Sequence, residues 1–252
     1  MNTRNQKITT AYFVLLDIPK ISSKNTLKAG ENLRSSLMGL AKQLSGKQFI
    51  PSEISGHNLS PNNKHEHFFY LPIDSQNTGW IDSFFIYCKK GFSESSLQTL
   101  RSLSWIKNKR GEKQNLVLEN FGTENDFKNR FSFFQESKLW QSHTPYFHPW
   151  YKKKNFSLFD QLRKECHLRE WPELKSIKLI PFIEKKDRRF YPFQFKKFRY
   201  KKHLSQPDKR GGFWKLEFSK PVQGPISLGF SCHFGLGLFS ALKEENQIKE
   251  AC

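Results

Sequence analysis

The amino-acid sequence predicts an α+β fold with antiparallel sheets, in which one βαββαβ unit is followed by a second, degenerate unit of the same kind. Three observations support this prediction. Segments rich in β-branched and aromatic residues alternate with segments whose leucines recur at helical spacing. In the first half of the chain their order is strand, helix, strand, strand, helix, strand. The 252 residues include 25 phenylalanines, so the chain can bury a sizeable core.

The elements of the first half follow from local composition. Residues 8–16 are β-branched and aromatic, which predicts a strand, and residues 25–44 carry leucines on one helical face. A loop rich in Ser, Pro, Asn and Gly follows at 51–63. The remaining predicted elements are strands at 65–74 and 81–89, a helix at 92–104 capped by Ser93, and a strand at 114–120. Together they form the ferredoxin-like arrangement, which RNA-recognition domains also use.

The second half repeats this order less regularly. Strands are predicted at 138–146, 174–182, 189–200, 213–218 and 226–230, with a helix at 156–169. We therefore expect two tandem ferredoxin-like (RRM-like) domains. The first covers residues 1–125, and the second, degenerate domain covers 126–252 and carries a basic strand and a glycine-rich loop.

Charge is concentrated in one part of the chain. The formal net charge is +19, and residues 138–220 hold 22 Lys and Arg against 8 Asp and Glu. Such a field favours a polyanion, above all nucleic acid. The sequence has no signal-peptide core, no run of 18 apolar residues and no long basic amphipathic helix, so no membrane partner is expected. Its four cysteines form no CxxC pair, which favours a cytoplasmic protein with free thiols and neither metal nor cofactor.

The segment 185–202, KKDRRFYPFQFKKFRYKK, interleaves nine basic residues with six aromatic ones. Basic side chains neutralise phosphates, and aromatic rings stack on unpaired bases, so this pattern is typical of a binder of single-stranded nucleic acid. The alternative is a solvated basic strand whose aromatic residues face the core. The candidate RNA-binding residues are Arg188, Arg189, Lys196, Lys197, Arg199, Lys201 and Lys202, with Phe190 or Tyr200 as the stacking ring.

His65 and His67 form an alternating pair at the start of a predicted strand, where residues two apart share a face. Two imidazoles side by side can serve as general acid and general base, because their pKa values lie near neutral pH. Inert surface histidines, metal ligation and phosphate binding without chemistry are the alternatives. His57, Lys64 and His233 are candidates for catalytic assistance.

Gly235 and Gly237 flank Leu236 just after His233. Close glycines let a backbone approach a phosphate. The Lys-Ser/Thr ending of a Walker loop is missing, and a lone GxG also occurs in structural turns. Carboxylates are too scattered to predict a two-metal nuclease. If the protein cuts RNA, the 2′-hydroxyl would attack the adjacent phosphate, with one His as base and a second His or Lys as acid.

The chain resembles the CRISPR-associated endoribonucleases that process repeat RNA, members of the RAMP superfamily. Within that group it is most similar to the processing half of the fused backbone-and-processing protein of subtype I-G (formerly I-U) systems. The matching segments occur in order along the chain, at 33–41, 55–58, 65–74, 80–92, 116–122, 140–146, 159–165 and 212–239.

The resemblance implies two ferredoxin-like units and a glycine-rich loop that contacts RNA. It also implies metal-independent cleavage within the repeat, and retention of the cut guide RNA in a complex with other CRISPR effector subunits. The family motif H-x-H-x-H falls on Asn63, His65 and His67, and Ser83 stands where the family often has a histidine. His65 and His67 are therefore the residues carried over. The fused backbone portion is expected to be missing or to be a separate protein.

Three functions are consistent with these observations. The first is a CRISPR repeat endoribonuclease in which His65 and His67 transfer protons. The second is a non-catalytic subunit that binds the guide RNA in the same kind of complex. The third is a general basic RNA-binding protein with no preference for a repeat hairpin.

Overall fold

The computed structural model describes residues 7–16, 21–46, 50–57, 59, 66–151, 153–199, 206 and 210–242. The chain divides into two compact units. The first holds Met1–Thr123 together with Arg199–Lys201 and His233–Gly235, and the second holds Glu124–Phe198, Lys202–Cys232 and Leu236–Cys252. None of the described helices is long and apolar enough to cross a membrane.

The first unit is a ferredoxin-like sheet with helices. Its strands are β1 (Thr10–Leu15), β2 (Ile21–Ser22), β3 (Phe69–Ile73), β4 (Trp80–Ile81), β5 (Ser83–Tyr87), β6 (Trp105–Lys107) and β7 (Lys113–Gly122). Its helices are α1 (Thr26–Leu44), α2 (Ser52–Ser55) and α3 (Glu94–Arg101). The main sheet has the antiparallel order β3-β5-β1-β7-β6, and β2 pairs separately with β4. Apart from the added edge strand β6, this order is that of the predicted βαββαβ unit.

Helical periodicity predicts the buried face of α1 correctly as far as Leu37, whereas Leu40 is half-buried and Leu44, at the end of the helix, is exposed. Leu27, Leu33 and Leu37 of α1 are buried, and the helix packs on β3, β6 and α3. The predicted cap of α3 is confirmed, because the Ser93 hydroxyl accepts a hydrogen bond from the Ser96 amide at 3.3 Å. The predicted loop at 51–63 contains the short helix α2.

The second unit has the same order without its second helix. Its elements are α4 (Glu124–Phe127), β8 (Glu136–Ser142), β9 (Tyr146–Phe147), α5 (Leu158–Leu168), β10 (Leu174–Ile180), β11 (Ile183–Lys185), β12 (Arg188–Phe190), β13 (Gly211–Gln223), β14 (Ile226–Ser227) and β15 (Leu238–Ala241). The sheet order is β10-β13-β8-β15-β14, with antiparallel pairing. Between β14 and β15, where the second helix would lie, the chain has turns and one 3-10 turn at Cys232–Phe234. The prediction of a degenerate second unit is confirmed.

A single long helix and the sheet enclose the core of the second unit. Leu162 and Cys166 of α5 are buried against Trp140, Leu216 and Phe218 of the sheet. A capping box starts the helix: Ser157 and Asp160 exchange hydrogen bonds between side chain and backbone.

The strand predicted at 189–200 is wrong. The strand ends at Phe190, and a 3-10 turn follows at Pro192–Gln194. Pro192 has no amide hydrogen and cannot continue a strand ladder. The strands predicted at 138–146 and 226–230 are likewise shorter, since they end at Ser142 and Ser227.

Candidate active site

The candidate site lies in the first unit, where His67 and His233 meet. Their ring centroids are 3.8 Å apart with an interplanar angle of 13°. On its other side, His233 stacks on Phe69 at 3.9 Å and 25°. In extended backbone, residues i and i+2 share a face and are separated by about 6–7 Å, which leaves room for one inserted ring. We call this group the imidazole stack: His67, His233 and Phe69, with His233 in the middle.

The backbone at Phe68 holds both histidines in place. The Phe68 amide donates to the Glu53 carbonyl of α2 at 2.8 Å. The Phe68 carbonyl accepts a hydrogen bond from Nδ1 of His233 at 3.3 Å. Because a carbonyl can only accept, the proton of a neutral His233 ring lies on Nδ1 and the lone pair on Nε2.

Burial controls the charge of His67. Burial and, after it, the positive charge of Arg34 lower the pKa of this imidazole to about 4. Nδ1 of His67 is buried and has no hydrogen-bond partner among the described residues. His67 is therefore neutral near pH 7, and it can accept a proton but not release one.

Arg34 supplies the positive charge at this site. It projects from α1, and its guanidinium donates to the Ser55 carbonyl at the end of α2. Gly56 follows with φ of +67°, and a Cβ there would lie 3.1 Å from Cδ2 of His67. The glycine therefore permits both the left-handed turn and the approach of the His67 ring.

The segment that carries His233 is anchored by Phe234. This ring is buried and lies parallel to Tyr70 at 6.2 Å between centroids. The guanidinium carbon of Arg199 lies 4.5 Å from the centroid of the Phe234 ring. Nε of Arg199 forms an ion pair with the carboxylate of the buried Glu31 at 3.0 Å. Gly30 of α1 makes room for the segment, since a Cβ there would lie 2.8 Å from the Phe234 carbonyl oxygen.

Two of the five predicted catalytic or assisting residues, His67 and His233, are thus brought together. His57 is exposed; its backbone amide donates to the Ser55 hydroxyl, and its ring takes no part in the stack. Lys64 and His65 lie outside the described residues, as do Tyr200, Lys201 and Lys202 of the basic segment.

The predicted RNA-binding residues separate into exposed and packed groups. Arg188, Arg189 and Lys196 are exposed. Lys197 is half-buried, with its ammonium 5.5 Å from the ring centroid of Phe147. The prediction that Phe190 stacks on a base is wrong for this conformation, because only 4% of its surface is accessible and it packs near Phe195.

Arg199 and the two glycines have roles in packing. Arg199 binds Glu31 instead of standing open to a phosphate. Gly235 has φ of +84°, and a Cβ there would lie 2.7 Å from Pro72. Gly237 donates its amide to the Pro145 carbonyl at 2.9 Å, so this amide is not directed at a phosphate. The structural turn, one of the two interpretations of the GxG, accounts for both positions.

Sequence reasoning missed Arg34 and the third ring, Phe69. Arg34 falls inside a helix whose leucines dominate the pattern, so no local signal marks it. Phe69 could have been found, since it shares the alternation that placed His65 and His67 on one face. Among the described residues, no group of three or more His, Cys, Asp or Glu side chains could hold a metal ion.

The site combines a neutral, partly buried imidazole, a second imidazole whose Nδ1 proton is held by a carbonyl, and a nearby guanidinium. The two imidazoles lie face to face, with their ring centroids 3.8 Å apart. Such an arrangement can accept a proton at His67, can deliver the Nε2 proton of His233 when that ring is protonated on both nitrogens, and can stabilise negative charge at Arg34.

No protein-family model and no curated protein matches the chain. A solved structure described as "Characterization of a Cas6-related gene from Pyrococcus furiosus" aligns over 94% of this chain and 99% of its own, with a TM-score of 0.49 and 14% identity. Another, "An RAMP protein binding different RNA substrates", aligns over 94% and 100%, with a TM-score of 0.45 and 10% identity. A third, Thermus thermophilus Cas6, aligns over 93% and 99%, with a TM-score of 0.32 and 12% identity. The ferredoxin-like assignment therefore rests on the strand order and pairing of the two sheets.

Proposed function

We propose that this chain is a metal-independent endoribonuclease that cuts CRISPR precursor RNA within the repeat. The observation that carries the proposal is the stacking of the His67 and His233 rings, whose centroids are 3.8 Å apart, within the electrostatic influence of Arg34. His67 is the described member of the histidine motif through which the chain resembles the repeat-processing enzymes.

In the proposed reaction, neutral His67 accepts the proton of the attacking 2′-hydroxyl. His233, protonated on both nitrogens, donates the Nε2 proton to the leaving 5′ oxygen, while its Nδ1–H stays on the Phe68 carbonyl. Arg34 stabilises the charge of the pentavalent phosphorane. The products are a 2′,3′-cyclic phosphate and a 5′-hydroxyl. His65 is the second candidate for the acid, and His57 and Lys64 remain candidates for phosphate binding.

Binding of RNA would raise the pKa of His67, the proposed base. A pKa of about 4 makes His67 a weak base in the free protein. A bound phosphate places negative charge beside the ring and raises the pKa of the imidazole toward neutrality. Binding of the substrate therefore makes His67 a stronger base for the proton of the 2′-hydroxyl.

The test uses a labelled repeat hairpin RNA incubated with the protein in EDTA, with fragment size and end chemistry both analysed. We expect one cut that leaves a 2′,3′-cyclic phosphate, and no cut when the nucleotide before the scissile bond is 2′-deoxy. His67→Ala and His233→Ala should each slow single-turnover cleavage by about 10²- to 10⁴-fold. His167→Ala, a change at an exposed histidine of α5, serves as the matched control. Loss of cutting in EDTA would show the metal-independent mechanism to be wrong.

The alternative is a non-catalytic subunit that binds the guide RNA. It is favoured by the position of His233, which lies between two rings as a packing element would. Asn63 and Ser83, at positions where the family has histidines, also support it. This alternative predicts tight binding of the repeat with no product, in wild type and in both histidine variants. Association with other CRISPR effector subunits belongs to either version of the proposal.

A further inference from the structure

The second unit carries a row of aromatic rings that are not part of its buried core. We call it the aromatic ladder: Phe182, Tyr191 and Phe193. Phe182 and Tyr191 are 5.9 Å apart at 59°, and Tyr191 and Phe193 are 5.6 Å apart at 20°. Phe193 is the outermost ring, with 79% of its surface accessible. One ring therefore offers most of its surface to solvent while it is aligned with a second.

The ladder stands on an ordered turn. Pro192 starts the 3-10 turn, and the Tyr191 amide donates to Oε1 of Gln194 at 3.1 Å. On either side the chain is anchored by the buried rings of Phe190 and Phe195, and Phe195 also meets Phe213 edge-on at 5.9 Å. Because the exposed ring is fixed in this way, a ligand that stacks on it would order few side chains.

One cation lies against the ladder, and two exposed cations flank it in the sequence. The Arg189 guanidinium lies 4.4 Å from the ring centroid of Phe182, at the inner end of the row. Its ion pair with Glu184 is exposed on both sides and contributes little. Arg188 and Lys196 are exposed as well. A flat aromatic surface with one cation against it and exposed cations in the flanking sequence matches a nucleobase with its attached phosphates, and an acidic protein would need no aligned rings.

We propose that the aromatic ladder is a stacking site for an unpaired base of single-stranded RNA, with Phe193 as the ring that the base covers. The inference rests on the proposed function for the identity of the nucleic acid. It moves the stacking role from Phe190 and Tyr200 to Phe193, supported from behind by Tyr191. Arg188 and Lys196 bind the phosphates on either side of the stacked base.

The test compares two fluorescent probes by anisotropy in EDTA. The first is oligoadenylate of about 15 nucleotides, and the second is an abasic ribose-phosphate strand of the same length. Phe193→Leu keeps an apolar side chain but removes the ring. We expect it to weaken oligoadenylate binding by about 5- to 100-fold, the equivalent of one stacked base, and to leave abasic-strand binding unchanged. Trp80→Leu, which removes an exposed ring of the first unit, should leave both affinities unchanged.

A second variant keeps the proposal testable if Phe193→Leu disturbs the turn. Phe193→Trp should bind oligoadenylate at least as tightly as wild type. Its added tryptophan fluorescence, measured against wild type, should be quenched by oligoadenylate and not by the abasic strand. Equal affinity of wild type and Phe193→Leu for oligoadenylate, with no quenching, would overturn the ladder and leave an acidic protein partner as its occupant. If wild type bound repeat RNA normally in that case, the proposed function would stand; if it bound no RNA, both would fail.

Discussion

His67 occupies a position where burial acts against its charged form. Its pKa is about 4 in the folded protein, and the ordinary value of 6.5 applies when the chain is unfolded. Between these two values the unfolded chain takes up a proton at this position and the folded chain does not. The stability that results is complete above about pH 6.5 and is lost as the pH falls toward 4, by at most about 3 kcal/mol.

This gives the first prediction. His67→Phe keeps a ring in the imidazole stack and removes the titrating group. We expect the free energy of unfolding in urea to fall less steeply between about pH 7 and pH 4.5 in His67→Phe than in wild type. His143, whose pKa is lowered well below its ordinary value by burial and then by Lys185, is present in both proteins, so its contribution cancels in the comparison. Parallel curves would show that His67 titrates normally.

Arg199 is a basic residue for which the structure shows a packing role that the sequence pattern does not indicate. It lies in the basic segment, but it binds the carboxylate of Glu31, which is only 8% exposed. The second prediction is that Arg199→Ala lowers the free energy of unfolding by about 1–3 kcal/mol, because a buried carboxylate loses a charged partner. Lys196→Ala, a change at an exposed cation in the same segment, should stay within about 0.5 kcal/mol. Equal effects in thermal or urea unfolding would contradict the assignment.

At the scale of elements, α1 contains two glycines with opposite surroundings. A Cβ on Gly30 would lie within 3 Å of backbone atoms of Phe234 and Tyr70, whereas a Cβ on Gly39 would meet nothing within 4 Å. Gly30 is therefore required for the close approach of the segment that carries His233. Gly39 has no such neighbour and only lowers the helix propensity.

The third prediction compares alanine at these two positions. Gly30→Ala should lower the free energy of unfolding by about 1–3 kcal/mol and slow repeat cleavage, since the displaced segment takes His233 away from His67. Gly39→Ala should raise it by about 0.5–1 kcal/mol and leave cleavage unchanged. Urea denaturation and single-turnover cleavage are both measured. Unchanged cleavage in a folded Gly30→Ala variant would mean that the position of His233 is not needed.

Elements with strong local periodicity were predictable from sequence, and contacts between distant segments were not. The buried leucines of α1 and the cap of α3 are encoded within a few residues, and both are confirmed. The strand order of both units follows from the order of such elements. The contact of His67 with His233 joins segments far apart in the chain, and no spacing rule relates them. In the basic segment, Pro192 signalled the end of the strand, but the mixture of basic and aromatic residues suggested that it continued.

For the whole molecule, the concentration of charge in residues 138–220 determines how RNA binding should respond to salt. That region carries 22 basic and 8 acidic residues, and the formal net charge of the whole chain is +19. Every phosphate neutralised on a single strand releases counterions, so the logarithm of affinity falls by about 0.7 per phosphate for each log unit of salt. If the location of charge matters and not only its total, equal charge changes at different places should have different effects.

The fourth prediction tests this with two double variants of equal charge. Arg188→Ala/Lys196→Ala removes two exposed cations that flank Tyr191 and Phe193 in the sequence, and Lys42→Ala/Lys89→Ala removes two exposed cations from the first unit. The first should reduce the salt slope of repeat-RNA binding by up to about 1.4, because two phosphate contacts are lost. The second should leave the slope as in wild type, because long-range attraction by distant charges is screened at physiological salt. Affinities are measured by anisotropy over a salt series in EDTA. Equal reductions in both variants would mean that RNA responds to the total charge and that residues 188–196 form no part of the interface.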